Sequence, residues 1–222
     1  MKLKIFIIAL SLAFVSANVL TQTLPTATES KPTGDAGIDY NLTDNGGKKH
    51  GVWIRVYAEG SLYYVGSFNS GNPEGQFLYF FETGELMSKI EHPSSSNSTS
   101  QTTAIHYRKN SSVQSSGFYI STDDQEKPAR DGSWGYYDEG SKQIKQETYS
   151  AGLLNGPYWI KTKEGSLVEE GGFANGKLDG QKTTYYDTGT VRQRINYIAD
   201  VLEGDFQVFY ISGMPKIEGN YI

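Results

Sequence analysis

The chain has 222 residues, 37% of them hydrophobic, with 25 glycines, 16 tyrosines and a formal net charge of −5 at pH 7. That balance favours short strands and many turns over a helical bundle, and the acidic charge gives no electrostatic reason to bind nucleic acid or anionic lipid. The absence of cysteine excludes disulfides, thiol nucleophiles, thiolate metal sites and a lipid anchor on an N-terminal cysteine.

Residues 1–17 have the three parts of a secretory signal peptide. Lys2 and Lys4 start it, Ile5 to Val15 form an apolar run broken only by Ser11, and Val15-Ser16-Ala17 offers a small-residue cleavage site. The run is short for a membrane span and polar sequence follows it, so cleavage near Ala17 and a secreted, periplasmic or extracellular location are expected. Loss of Lys2 and Lys4 would take the net charge from −5 to −7. Residues 18–47 read as a flexible leader, because the Thr-, Pro- and Ser-containing stretch from Thr23 to Gly34 has little to bury against the cost of ordering it.

From residue 48 to 222 a period appears. Gly51 and Gly75 stand 24 residues apart, and Gly132, Gly156, Gly180 and Gly204 continue at the same interval after a break. Nine residues into most units comes a second glycine: Gly60, Gly84, Gly165, Gly189 and Gly213, with Gly140 one residue early. Seventeen residues in stands a ring: Phe68, His92, Tyr149, Phe173, Tyr197 and Tyr221. Each unit reads as a β-hairpin whose second glycine closes the turn. First limbs such as Phe77 to Phe81 are rich in aromatics. Second limbs alternate, with Val191, Ile195 and Tyr197 on one face and Arg192, Arg194 and Asn196 on the other. One hairpin is marginal alone, so the units must share a sheet. The fold expected is all-β, an elongated antiparallel meander of tandem hairpins of about 24 residues, with mostly nearest-neighbour interactions.

The break follows His92. Residues 93–103 are a Ser/Thr-rich insertion and read as a surface loop. Ala104 to Lys109 and Gly117 to Ile120 read as strands of a degenerate unit joining the second hairpin to the next.

The spacing of glycines and rings resembles the variant form of the MORN repeat. The residues carrying the resemblance include Gly156-Pro157-Tyr158-Trp159, Lys163-Glu164-Gly165-Ser166-Leu167, Phe173 through Gly180 and Gly180 through Gly189. The resemblance covers residues 51–92 and 132–222 and is to bacterial, antitoxin-like members of that family. It implies a hairpin array used for protein contacts, with no catalytic residue to carry over. The export signal departs from a cytosolic antitoxin role.

Chemistry-bearing motifs are few. His92 and His106 flank the Ser/Thr-rich insertion, and two histidines do not define a metal site. Asp123, Asp124 and Glu126 lack the alternating carboxylates of a calcium loop. Glu169 and Glu170 are adjacent and point to opposite faces of a strand, so they cannot act as a carboxylate pair. No catalytic residue, metal site or cofactor is expected, and the chain reads as a non-enzyme. Two functions remain: a scaffold that binds a protein partner, or a glycan- or wall-binding module. Tyr63, Tyr64, Tyr79, Tyr136, Tyr137, Tyr185 and Tyr186 are the candidate partner or glycan surface.

Overall fold

The computed structural model describes residues 40–93, 101–121 and 127–222. The export signal, the leader through residue 39, residues 94–100 and the acids Asp123, Asp124 and Glu126 lie outside the described residues. Within these residues the fold is all-β without helix, a single open sheet of seventeen antiparallel strands in which each long strand pairs with the next long strand along the chain.

Seven hairpins make the sheet: β2 (Lys49–Val56) with β3 (Leu62–Asn69), β4 (Asn72–Phe80) with β5 (Leu86–His92), β6 (Gln101–Tyr107) with β7 (Val113–Ile120), and β8 (Ala129–Tyr137) with β9 (Gln143–Ser150). They continue with β11 (Gly156–Lys161) and β12 (Leu167–Ala174), β14 (Gly180–Tyr185) and β15 (Val191–Ile198), and β16 (Val201–Phe209) and β17 (Pro215–Tyr221). Short strands β1 (Leu42–Thr43), β10 (Leu153–Leu154) and β13 (Lys177–Leu178) extend the edges of neighbouring hairpins.

The degenerate unit between the two matching blocks is therefore a full hairpin, with a strand at each of the two places read from the sequence. Its turn shows why. In the first unit Tyr57 N–H bonds the Ser61 carbonyl, and Gly60 N–H returns to the Tyr57 carbonyl. The same two bonds close all seven turns, including Arg108 to Ser112 and Ser111 to Arg108 in the irregular unit. The residue nine places into the unit must take a left-handed backbone, which glycine adopts without steric cost. Gly60, Gly84, Gly165, Gly189 and Gly213 do so. In the irregular unit the position falls to Ser111 (φ 65°), and in the next to Ser141 (φ 62°). Gly140 is thus not the repeat glycine that its place in the sequence suggested; it sits beside Ser141 with no left-handed φ.

Two boundaries differ from the sequence reading. Gln101, Thr102 and Thr103 belong to β6, because their backbones pair with Ile120, Tyr119 and Phe118. The last residues of the leader are ordered as well. Tyr40 is buried, Asn41 N–H bonds the Val52 carbonyl, and the Asn41 side-chain oxygen accepts from Ile54 N–H at 2.8 Å. With Trp53 Nε1 donating to the Leu42 carbonyl, these residues cover the outer edge of β2.

Strand alternation divides the sheet into two faces. The aromatic face carries the residues at places two, four, thirteen, fifteen and seventeen of each unit, among them Phe77, Trp134, Tyr158, Tyr79, Tyr136 and the periodic rings. Its packing rule pairs a large ring at place two with glycine at place fifteen. Trp134 lies over Gly117, Phe77 over Gly66, Tyr158 over Gly171 and Phe206 over Gly219; a Cβ on any of these glycines would fall 2.3–2.9 Å from the ring. Trp134 and Phe77 are fully buried in this way although one layer of sheet makes the fold. Burying each such ring contributes roughly 1.5–3 kcal/mol.

Units are also joined by a bond from place six. Tyr57 donates its hydroxyl to the Phe80 carbonyl at 2.9 Å and Tyr186 to the Phe209 carbonyl at 2.8 Å, each one hairpin further on. In the irregular unit Arg108 takes this place and donates to the carbonyls of Tyr137 and Asp138.

Candidate interaction surface

The aromatic face of β2–β9 is built in two connected clusters. In the first, Tyr63 contacts Tyr57, Tyr64 and Tyr79 at ring separations of 5.0, 5.8 and 5.9 Å, and Tyr64 continues to Phe77 at 6.1 Å. Tyr63 reaches this face because the bulge between Arg55 and Val56 shifts the strand register there. Burial raises the Tyr79 phenol, aided by the neighbouring tyrosines, so it stays neutral at any ordinary pH.

The second cluster centres on Arg130 and Trp134. The guanidinium lies 4.6 Å over the Trp134 ring, and its Nη1 donates to the hydroxyls of Tyr136 (2.9 Å) and Tyr149 (3.2 Å). Tyr149 donates onward to Glu147 at 2.7 Å, and Glu147 pairs with Lys145 at 2.6 Å. Burial works against the Glu147 carboxylate, but hydrogen bonds from Lys145, Tyr149 and Tyr136 outweigh it and hold its pKa below the usual range. Burial drives the Tyr136 phenol well up, with the hydrogen bonds to Tyr149 and Glu147 adding to the effect. Among the described residues no carboxylate lies at ion-pair distance from Arg130. Among these residues its charge meets the Tyr136 and Tyr149 phenols and the Trp134 ring.

Beside Trp134 stands a half-buried polar chain. Ser88 Oγ is 2.8 Å from His106 Nδ1, and His106 Nε2 is 3.3 Å from the Tyr119 hydroxyl. The imidazole stacks on Trp134 with rings 17° from parallel. Burial, and then the Arg130 charge, lower the His106 pKa. The second imidazole nitrogen thus meets a phenol and not a carboxylate. His92 stands four residues beyond Ser88 on β5, edge-on to Phe77 at 5.0 Å, so the structure does not bring the two histidines together. Among the described residues no three His, Asp or Glu side chains converge as metal ligands. Glu169 and Glu170 do part to opposite faces. Glu169 accepts from Tyr158 and pairs with Lys182, while Glu170 accepts from Tyr185 at 2.5 Å.

Of the seven tyrosines singled out in the sequence, Tyr63, Tyr64 and Tyr79 meet on the aromatic face and Tyr136 lies on the same face in the second cluster; Tyr64 is buried and the other three are half-buried. Tyr137 and Tyr185 turn to the reverse face, with Tyr137 on Ser116 at 3.1 Å. Burial and then the bond to Glu170 push the Tyr185 phenol up to about 12. Tyr186 is the inter-unit bond already described. Arg130 was missed, yet its signal is present in the chain. A cation stands four residues before the tryptophan at place two both in Lys49-His50-Gly51-Val52-Trp53 and in Arg130-Asp131-Gly132-Ser133-Trp134, and Lys49 likewise lies 4.6 Å over Trp53.

Residues 178–199, which span β13 to the turn after β15, match the family model of the MORN repeat variant. That segment runs from two residues before Gly180 to the left-handed turn at Ala199 and Asp200, and the same turn geometry and strand pairing recur in the other six hairpins. MORN repeats are commonly protein- or membrane-interaction repeats. No curated protein matches the chain. Among solved structures, a chain of the one described as "Crystal Structure of TcdB2-TccC3-Cdc42" is similar at 12% identity and a TM-score of 0.22. The similarity covers 86% of this chain and 12% of that one, and is too distant to inform function.

Proposed function

We propose that the protein is an exported, non-catalytic MORN-repeat scaffold that binds a protein partner on the aromatic face of β2–β9. The observation that carries this reading is the Arg130 cluster. A guanidinium with no carboxylate partner among the described residues is held at a fixed place among Trp134, Tyr136 and Tyr149, on a sheet face that no second layer of the described residues covers. Arginine and aromatic side chains held rigidly together are the groups that dominate protein contacts, because little entropy is lost when they engage. The Tyr57–Tyr63–Tyr79 cluster extends the same surface by two hairpins. The lysine-started apolar run at residues 2–15 supports export.

The test is capture of envelope proteins by the full chain, beside Arg130→Glu and Tyr63→Ser chains whose unfolding curves match wild type. One protein retained at near-equimolar amount by wild type, and lost with either substitution, supports the reading. Retention that survives both substitutions contradicts it.

A further inference from the structure

The reverse face changes character along the sheet. At places three and fourteen it begins with Ile54, Val65, Leu78, Lys89 and Ile105, aliphatic in four of these five positions, and ends with Arg194, Gln207 and Glu218. Over the last four strands, β14–β17, it forms a trough of about 540 Å³ lined by two rows of polar side chains. In one row Arg194 lies opposite Gln207 and Gln207 opposite Glu218. In the other, Asn196 donates to the Asp205 carbonyl at 2.7 Å, and Asn220 donates to the Asp205 carboxylate at 2.9 Å. Phe206 belongs to the floor by its backbone alone, since its ring turns to the aromatic face and covers Gly219.

We propose that this trough binds a neutral, hydroxyl-rich glycan chain. The chemistry of the lining selects among ligands. It holds no aliphatic side chain and no lysine, so it offers neither an apolar pocket for a peptide side chain nor the clustered cations a polyanion needs. What it does hold are planar amides, which both donate to and accept from neighbouring sugar hydroxyls, carboxylates, which accept from them, and one guanidinium, which donates. Among the described residues no ion pair joins Arg194 to Glu218. Gln207 stands between them, two strand spacings of about 4.8 Å separating the cation from the anion. Arg194 is steadied by the Phe209 ring at 5.4 Å, and Asp205 by Asn220, so donors and acceptors are held in place before a ligand arrives. The rows repeat at the strand spacing, which is close to the length of one pyranose unit. An extended glycan crossing β14–β17 thus meets a fresh pair of polar groups at each residue.

The proposal goes beyond the scaffold reading and uses the other face. Isothermal titration of the full chain with cellohexaose and with chitohexaose tests it, with hexalysine as the peptide control. Saturable binding of one hexasaccharide is expected. Gln207→Ala and, separately, Arg194→Ala should weaken it at least tenfold while leaving thermal unfolding as in wild type, and Arg130→Glu on the aromatic face should leave it unchanged. No binding of either sugar up to about 1 mM, an affinity near 4 kcal/mol, overturns the proposal. So do binding that survives both trough substitutions and binding of hexalysine in place of the sugars. Failure of the unsubstituted chain to capture any protein, with sugar binding intact, would sink the scaffold reading alone.

Discussion

Gly117→Ala probes the packing rule that lets one layer of sheet bury a tryptophan. The new Cβ would fall 2.4 Å from Cδ2 of Trp134, a ring with no exposed area. Gly117 has no left-handed φ, so the penalty is steric and not conformational. The ring can yield only by moving off the strand, which breaks its Nε1–H bond to the Phe118 carbonyl (3.0 Å) and its stack beneath Arg130. Overpacking costs about 1–3 kcal/mol and a lost hydrogen bond about 1 kcal/mol, so the expected loss is roughly 2–4 kcal/mol. Urea unfolding followed by circular dichroism and tryptophan fluorescence measures it. In a Trp134→Leu background the same glycine change should cost at least about 1 kcal/mol less, because the clash is gone. A loss under about 0.5 kcal/mol, or equal losses in both backgrounds, would refute the packing rule.

Further predictions concern the turns, the bonds between units and the titrating groups. Gly140→Ala should change stability by less than about 0.5 kcal/mol, whereas Gly189→Ala, at φ 83°, should cost about 1–2 kcal/mol in the same urea assay. Tyr186→Phe removes the donor to Phe209 and should cost about 0.5–1.5 kcal/mol; hydrogen exchange should quicken in β14–β17 and not in β2–β5. The folded pKa of His106 is depressed, so its stabilising share is full above the unfolded value near 6.5 and is lost as pH falls below it, towards the folded pKa. Melting temperature should therefore drop between pH 7 and 5, and His106→Gln should flatten that drop. Glu147 is also depressed, and its share is present above the unfolded carboxylate range and lost as pH falls through the folded value. Glu147→Gln should remove part of the acid loss below about pH 4 seen in melting curves.

The sequence shows the hairpin period because the turn position demands a left-handed residue, and five of the seven units place glycine there. The other two use Ser111 and Ser141, which is why the irregular unit read as degenerate and Gly140 was taken for the marker. The aromatic period was legible as well, but not what each ring does. Nothing in the string distinguishes Tyr186, whose hydroxyl ties two units together, from Tyr63, which a bulge turns toward the aromatic face. Arg130 falls two residues outside the unit as the glycines frame it, and its role depends on Tyr149 arriving from the paired strand. The trough was illegible for a related reason. Gln207 and Glu218 are ordinary surface residues until register sets them beside Arg194.

Hydroxyl-radical footprinting of the protein, alone and with the captured partner, tests the scaffold account most directly. The account predicts protection of Tyr63, Tyr79 and Tyr136 on the aromatic face, with reactivity at Tyr185 on the reverse face unchanged. Protection confined to the reverse face, or no protection on either, would contradict it.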